Sequence, residues 1–160
     1  MLHLTIVCVG KLKEQFFIDA VREYQKRLTP YCKLSIEEVP GARLPVNATD
    51  KEKLAALAKE AGAVELRIPD DCLLIALCVE GKQLNTDKFA AFIKACELSA
   101  KNNVCFLIGG SIGLHQRLKN RAEINLSMSE MTFPHHLFRV MLLEQLYRGF
   151  KINEGSPYHK

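Results

Sequence analysis

A glycine-rich segment, Ile-Gly-Gly-Ser-Ile-Gly at residues 108–113, follows an apolar run and precedes a polar stretch. Glycine allows the backbone to adopt positive φ angles and to approach a ligand closely, and the free N–H groups of such a turn bind anions or the edge of a nucleoside. A tight turn that only needs a flexible backbone has the same residues. The residues alone therefore leave both interpretations open for this segment.

A second segment with chemical potential, Met-Thr-Phe-Pro-His at residues 131–135, stands directly before a long apolar stretch. Pro134 has no N–H and a fixed φ, which suits the first turn of a helix. Thr132 and the backbone beside it can hydrogen-bond the edge of a purine-like ligand. The alternative is that this segment is a simple entry into the helix.

The last part of the chain carries an arginine, an aromatic residue and a histidine with possible functions. Arg139 lies within the apolar stretch, where it is either an ion-pair partner inside the protein or a contact to RNA phosphate, and the residues alone favour the structural role. In the tail, Tyr158 offers a ring on which a base can stack, and His159 offers an imidazole that accepts protons near neutral pH. The alternative for the tail is a frayed terminus.

These segments are positioned by a regular alternation of predicted strands and helices. Short apolar and β-branched runs predict strands, and apolar residues at helical spacing predict the helices between them. The resulting order, β-α-β-α-β-α-β-(short α)-β-α, predicts an α/β fold with a largely parallel sheet flanked by helices. The predicted strands cover residues 2–9, 33–39, 73–79, 104–108 and 124–128, and the last helix covers residues 136–152.

Local signals refine this prediction and locate the candidate site. Thr49 and Glu52 have the spacing of a capping box, residues 80–82 read as a turn, and Thr86 is the expected cap of the next helix. Because ligands of open α/β sheets bind at the carboxyl ends of strands, we expect the site where the strands end, at residues 79–82, 109–114 and 129–134. No linker or repeat interrupts the sequence, so residues 1–160 are expected to form one domain.

Composition excludes several classes of protein. The 22 basic and 18 acidic residues give a net charge of +4, which permits nucleic-acid binding without arguing for it. No apolar run approaches the roughly 20 residues that cross a bilayer, and the first residues do not resemble a signal peptide. The six cysteines include no Cys-x-x-Cys pair, so we expect reduced thiols in the cytoplasm and no metal site.

A dinucleotide site is the main rival from the residues. Gly110-x-x-Gly113 resembles the end of a Rossmann fingerprint, and Glu130 stands 20 residues after Gly110. However, Ile108 replaces the first glycine, and only 50 residues follow Gly110, too few for the strands that a dinucleotide fold needs after its fingerprint. An NAD-dependent oxidoreductase therefore remains an alternative that the residues disfavour.

Taken together, several segments resemble the ribosomal RNA large subunit methyltransferase H family, small SPOUT-class enzymes that methylate N3 of a pseudouridine in 23S ribosomal RNA. The likeness runs from residue 1 to residue 160, and Gly149, where the family carries alanine, is one departure. The segments are Val-Gly-Lys-Leu-Lys-Glu at 9–14, Leu-Ile-Gly-Gly-Ser-Ile-Gly-Leu-His at 107–115, Met-Thr-Phe-Pro-His at 131–135, Arg-Val-Met-Leu-Leu-Glu-Gln-Leu-Tyr-Arg at 139–148 and Pro-Tyr-His-Lys at 157–160.

The resemblance implies a fold whose C-terminal segment is threaded into a trefoil knot, and S-adenosylmethionine as methyl donor, bound in that knot. It also implies a homodimer, in agreement with the apolar last helix. The residues that match the family's cofactor-binding positions, or adjoin them in the glycine turn, are Leu77, Gly109, Gly110, Met128, Ser129, Glu130, Met131, Thr132 and Phe133.

On the same resemblance we hypothesise roles for three residues in the reaction. His159, or a water that it holds, takes the proton from N3; Tyr158 stacks on or hydrogen-bonds the flipped base; and Arg139 grips phosphate or stabilises charge. The modest net charge leads us to expect recognition on the assembled ribosome or large subunit rather than on free RNA. A second alternative is a ribosome-associated dimer that has kept the fold without the catalysis.

Overall fold

Strands and helices alternate along the chain in the order that the sequence predicts. The computed structural model describes residues 1–159. The strands are β1 (Leu2–Val9), β2 (Cys32–Val39), β3 (Leu73–Gln83), β4 (Asn103–Ile108) and β5 (Ile124–Ser127), and the helices are α1 (Gln15–Leu28), α2 (Asp50–Glu65), α3 (Thr86–Leu98), α4 (Gln116–Arg121) and α5 (His135–Asn153).

The strands form one sheet in the order β2-β1-β4-β3-β5, and every neighbouring pair is parallel. The predicted α/β fold with a parallel sheet is therefore confirmed. Parallel strands that share one sheet place all their carboxyl ends along one edge, which brings the residues after β3, β4 and β5 together. The trefoil knot that the resemblance implies stays a prediction.

Helices cover both faces of the sheet, so its central strands are buried on both sides. In β1, Ile6 and Val7 point to opposite faces, and neither is exposed to solvent. One face packs against α1, α3 and α5, and α5 contacts both of the other helices, while the other face packs against α2 and α4. Burying each large apolar side chain of this kind contributes about 1.5–3 kcal/mol to folding. Within residues 1–159, no helix is both long and apolar enough to cross a membrane.

Two local predictions are wrong and one is confirmed. The turn predicted at residues 80–82 does not form, because β3 continues to Gln83 with a shift of register against β5 between Leu77 and Lys82. Gly81 allows this close approach, since a Cβ there would lie 2.7 Å from the backbone of Asn125.

The cap of α3 is Asn85 rather than Thr86. The Asn85 side chain accepts a hydrogen bond from the N–H of Lys88 at 2.8 Å, while the Thr86 hydroxyl donates to Gln145. Asparagine caps a helix as well as threonine does, and the residue one position earlier has the extended backbone that a cap requires. The capping box of Thr49 and Glu52 at the start of α2 is confirmed.

Candidate functional site

A cavity of about 610 Å³ lies at the carboxyl edge of the sheet, where β3 and β4 end and the segment after β5 passes. Its walls include both segments that the sequence singles out, residues 109–113 and residues 128–134. The two segments therefore share one hollow, as a common ligand site requires. The rest of the wall comes from residues 77–80 of β3, Ile108 at the end of β4, Leu114, Lys119 of α4 and the first turn of α5.

The glycine turn closes tightly on itself at one side of this cavity. The N–H of Gly113 donates to the carbonyl of Gly110 at 3.0 Å, and Gly113 has a φ of 80°. A Cβ on Gly109 would lie 2.5 Å from the backbone of Gly113, and one on Gly110 would lie 3.0 Å from Cγ1 of Val9. Gly109 must therefore be glycine, and the wall at this point consists of backbone.

Two serines shape the segment after β5. The Ser127 hydroxyl donates to the carbonyl of Ser129 at 3.0 Å, and the Ser129 hydroxyl accepts from the N–H of Met131 at 3.0 Å. These local hydrogen bonds hold the backbone in turns that neither a strand nor a helix would allow. Further along, Phe133 packs edge-on against Phe138 of α5, with ring centroids 5.7 Å apart.

Four titratable side chains line the cavity together with its apolar walls, namely Cys78, Glu80, Lys119 and His135. Glu80 forms an ion pair with Lys119, and the hydrogen bond from Lys119 holds the pKa of Glu80 below its usual range. Burial lowers the pKa of His135, and the nearby His136 and Arg139 lower it further, which favours its neutral imidazole. A concave apolar site with a few polar groups is typical of small-molecule binding.

Most of the predicted cofactor residues line the cavity. Glu130 and Met131 do not; both are exposed at the outside of the segment after β5. The residues that do line it are Leu77, Gly109, Gly110, Met128, Ser129, Thr132 and Phe133.

Arg139 lies outside the cavity and is almost completely buried, with 2% of its side chain exposed. Its Nη1 donates to Glu38 at 2.6 Å and its Nη2 donates to the carbonyl of Gly10 at 3.2 Å, while Nε has no partner within residues 1–159. Glu38 also accepts from the N–H of Leu12 at 3.0 Å. The ion pair thus connects α5 with the ends of β1 and β2. This is the structural role that the residues alone favour for Arg139.

The tail residues lie along α5, away from the cavity walls of their own chain. The ring of Tyr158 stands 4.7 Å from the guanidinium of Arg148, and its hydroxyl is 3.5 Å from Glu144. Nδ1 of His159 lies 3.3 Å from Arg148, and its Nε2 lies 3.9 Å from Asp87. The structure therefore brings Tyr158 and His159 together but places neither beside Gly109.

Sequence reasoning missed several residues of the cavity wall. Lys119 and Phe138 come from elements that are far apart in the sequence, so no local pattern marks them, and Cys78 and Ile108 were not predicted either. His135 ends the segment at residues 131–135, and its place after a proline at the carboxyl edge was a usable signal. The other wall residues fall within the strand ends predicted at residues 79–82, 109–114 and 129–134, namely Val79, Glu80, Ser111, Gly113, Leu114 and Pro134.

Comparison with known proteins identifies the family. A family model described as "Predicted SPOUT methyltransferase" matches residues 2–159. Ribosomal RNA large subunit methyltransferase H 1 of Clostridium perfringens is 45% identical over 159 residues, which are 99% of this chain and 100% of the relative. The methyltransferase H of Clostridium beijerinckii is 46% identical with the same coverage. The chain belongs to the ribosomal RNA large subunit methyltransferase H family.

A solved structure supports the fold of this methyltransferase H family member. A probable methylase family protein from Haemophilus influenzae superimposes with a TM-score of 0.54 over 98% of this chain and 70% of that protein, at 14% sequence identity. Together with the family model over residues 2–159, this likeness confirms the SPOUT methyltransferase fold. Enzymes of the SPOUT class take their methyl group from S-adenosylmethionine.

The cavity fits this methyl donor. A Cβ on Gly109 would clash with the backbone of Gly113, so the wall at this turn is bare backbone that a nucleoside can approach closely. The apolar side chains of Leu77, Leu114 and Phe133 can cover the faces of an adenine ring. Backbone groups of Met128, Ser129 and Thr132 are then available to hydrogen-bond its edge.

Proposed function

We propose that this chain methylates N3 of a pseudouridine in 23S ribosomal RNA with S-adenosylmethionine as donor, on the assembled ribosome or the large subunit. The observation that carries the proposal is the 45% identity over 159 residues to proteins named ribosomal RNA large subunit methyltransferase H. The cavity between the glycine turn and residues 128–134 supports it independently, because its bare backbone and apolar side chains suit a nucleoside. A cytoplasmic location follows from the substrate.

The methyl group of the donor is already activated by its sulfonium, so the chemistry needs a deprotonated N3 placed in line with it. The residues of the chain supply that placement. The rigid glycine turn and Phe133 restrict how the donor can lie, and fixing the geometry of two reactants lowers the barrier by several kcal/mol. The largely apolar wall excludes water, which strengthens any electrostatic interaction with the developing N3 anion.

The tail is proposed to close the site over the base. His159, or a water that it holds, accepts the proton of N3, and Tyr158 stacks on or hydrogen-bonds the base, which must leave its own stack to reach the cavity. In its own subunit the tail lies beside Glu144, which lines a second cavity of about 440 Å³ that shares Met128 with the first. The second cavity therefore lies between the tail and the donor site.

Arg139 is proposed to favour the developing negative charge from behind the site. Gripping a phosphate would require Arg139 to leave both Glu38 and Gly10, and to come out of a position that is 2% exposed. Of the two catalytic roles inferred from the resemblance, charge stabilisation therefore fits the geometry better. Its main effect is to position α5 and the segment after β1.

We also propose that the enzyme acts as a homodimer. Each site is then closed either by the tail of its own subunit or by the tail of the partner subunit. A complementation assay separates these arrangements. One protein lacks residues 158–160 but keeps its cavity, and the other has the cavity filled by Leu77→Trp but keeps its tail. If the tail acts across the dimer, mixing the two inactive proteins restores methyl transfer; if it acts within one subunit, the mixture stays inactive.

Mass spectrometry of 23S ribosomal RNA fragments, from cells with and without this protein, tests the proposed function. We expect one modified uridine to lose its methyl group when the protein is absent and to regain it after incubation of the large subunit with protein and donor. Unchanged RNA would contradict the proposal and favour a non-catalytic ribosome-associated dimer. Binding of NAD in place of S-adenosylmethionine would favour the oxidoreductase.

Substrate size and the tail give two further checks. Removing residues 158–160 is expected to abolish turnover while calorimetry still shows donor binding, and full activity would contradict the role of the tail.

Turnover on a short naked RNA hairpin is expected to be far below that on large subunits, because the net charge of +4 provides few phosphate contacts. Equal turnover on both would contradict recognition on the assembled particle.

A further inference from the structure

An aromatic ring stands exposed at the start of α1, outside the walls of the cavity. Phe16 is 67% exposed, and its ring centroid lies 4.4 Å from that of Phe17. Phe17 meets the ring of His136 edge-on at 6.2 Å, and His136 meets that of His135 at 4.2 Å. Since His135 lines the cavity, three ring contacts connect the exposed Phe16 with the candidate site.

Two cations lie on the exposed segment just before Phe16. The side chains of Lys11 and Lys13 are exposed, and neither forms an ion pair with any residue from 1 to 159. Glu14, the acid of the same segment, is 45% exposed and lies 3.3 Å from Nδ1 of His136. Two lysines stand against this one acid, so the net charge of residues 11–16 is positive.

The buried ion pair fixes the backbone that carries these lysines. Arg139 holds the carbonyl of Gly10, and its partner Glu38 holds the N–H of Leu12. Lys11 lies between these two anchored residues, so its position relative to the cavity does not depend on binding. A rigid aromatic ring with cations beside it is the arrangement that binds single-stranded nucleic acid, through stacking and phosphate contacts.

We propose that Phe16 is a stacking platform for an unpaired nucleotide next to the target base, with Lys11 and Lys13 on the flanking phosphates. The inference rests on the proposed function, which it extends from the reacting base to the neighbouring RNA strand. A base that is swung into the cavity leaves its neighbours without their stacking partner, and an exposed aromatic ring replaces that contact. The site takes unpaired nucleotides of any sequence, since every base has a face that stacks.

Methyl transfer to large ribosomal subunits, measured with Phe16→Leu and Phe16→Trp, tests the stacking role. Leucine keeps an apolar side chain but cannot stack, whereas tryptophan stacks at least as well. We expect Phe16→Leu to raise the KM for subunits at least about fivefold, the lower end of what one lost base–aromatic stack costs, and Phe16→Trp to stay within about twofold of wild type. The KM for S-adenosylmethionine stays unchanged in both. Leu66→Ala, an exposed apolar residue at the end of α2, is the matched control.

The lysines are tested by the dependence of subunit binding on salt. Each of Lys11→Ala and Lys13→Ala is expected to reduce the slope of log K against log salt by about one, as the loss of one phosphate contact does. The reduction applies whatever the sequence of the RNA. An unchanged slope in both variants would overturn the assignment of these residues to phosphate.

Several results would overturn the platform itself. Phe16→Leu with the KM of wild type, or Phe16→Trp as defective as Phe16→Leu, would show that stacking plays no part. A changed sedimentation coefficient of Phe16→Leu would show that the ring contacts protein instead.

If the wild-type protein transfers no methyl group, the proposed function fails, and the binding of a labelled unpaired oligoribonucleotide to the same variants decides the inference separately. Weaker binding by Phe16→Leu than by Phe16→Trp would then support the platform, and equal binding would overturn it.

Discussion

The two halves of the sheet's carboxyl edge have the same strand geometry but differ in what occupies the space beyond the strands. We call the half at the ends of β3, β4 and β5 the open half, and the half at the ends of β1 and β2 the filled half. Where β3, β4 and β5 end, backbone and apolar side chains surround a cavity of about 610 Å³. Where β1 and β2 end, the guanidinium of Arg139 fills the space on the α5 side and pairs with Glu38, while a separate cavity of about 620 Å³ lies on the α2 side, lined by residues 40–45 and α2. A parallel sheet thus offers several strand ends to a ligand, and the residues that follow each strand decide which end stays open.

Glycine alone does not distinguish the two halves. Gly10, which has a φ of 97°, follows β1, and Gly109 and Gly110 follow β4. The carbonyl of Gly10 is occupied by Arg139, whereas the turn at Gly109 closes on its own backbone and leaves the cavity free. A glycine after a strand therefore permits a ligand site, but a site forms only where no side chain from another element takes the space.

The largest effect is expected in the open half, where a single methyl group added at Gly109 should abolish donor binding. In Gly109→Ala the new Cβ would lie 2.5 Å from the backbone of Gly113, which cannot move aside as a side chain could. We expect donor binding to become undetectable by calorimetry and stability to fall by about 1–3 kcal/mol, the usual cost of overpacking. Tight donor binding by this variant would show that the turn does not form the wall.

The stability of the filled half is expected to depend on the charge of its ion pair rather than on how tightly its atoms pack. Glu38→Gln leaves the buried Arg139 without its carboxylate, which costs about 3 kcal/mol, the lower end of the range because Glu38 is 36% exposed. Arg139→Met should cost less, because water can reach the carboxylate that remains. Urea unfolding of both variants measures the difference, and the opposite order would contradict it.

Acid should weaken the filled half selectively. Burial raises the pKa of Glu38, but hydrogen bonds from Arg139 and from the N–H of Leu12 outweigh it, so the pKa lies below the usual 4.5. A carboxyl with a lowered pKa stabilises the fold above that value and loses its contribution as the pH falls through the folded-state pKa. Urea unfolding between pH 7 and pH 3 should therefore show a steeper loss below about 4.5 for wild type than for Glu38→Gln. Parallel profiles would contradict this.

The smallest expected effect is a gain, at a glycine that is not part of either half. A Cβ on Gly149 would lie 3.5 Å from Cα of Ala90, an ordinary contact, so Gly149→Ala fits between α5 and α3. We expect it to raise stability by about 0.8–1 kcal/mol through helix propensity. It is also the matched control for Gly109→Ala, and a loss of stability would show that α5 and α3 have no room.

The sequence predicts the open half better than the filled half, for a physical reason. Apolar runs and glycines are local signals, so the strands, their shared edge and most of the cavity wall follow from them. The pairing of Arg139 with Glu38 joins residues 101 positions apart, and no periodicity says which acid an arginine will meet. The extension of β3 past Glu80 likewise depends on the approach of Asn125, which only tertiary structure provides.

Backbone amide shifts on titration with S-adenosylmethionine test the central claim most directly, because they report on both halves of the edge in one experiment. We predict the largest shifts at Gly109, Gly110, Ser129 and Thr132, small shifts at residues 10–12, and no comparable response to NAD. Shifts concentrated at residues 10–12 or 40–45, with residues 109–113 unaffected, would contradict the assignment of the donor to this cavity.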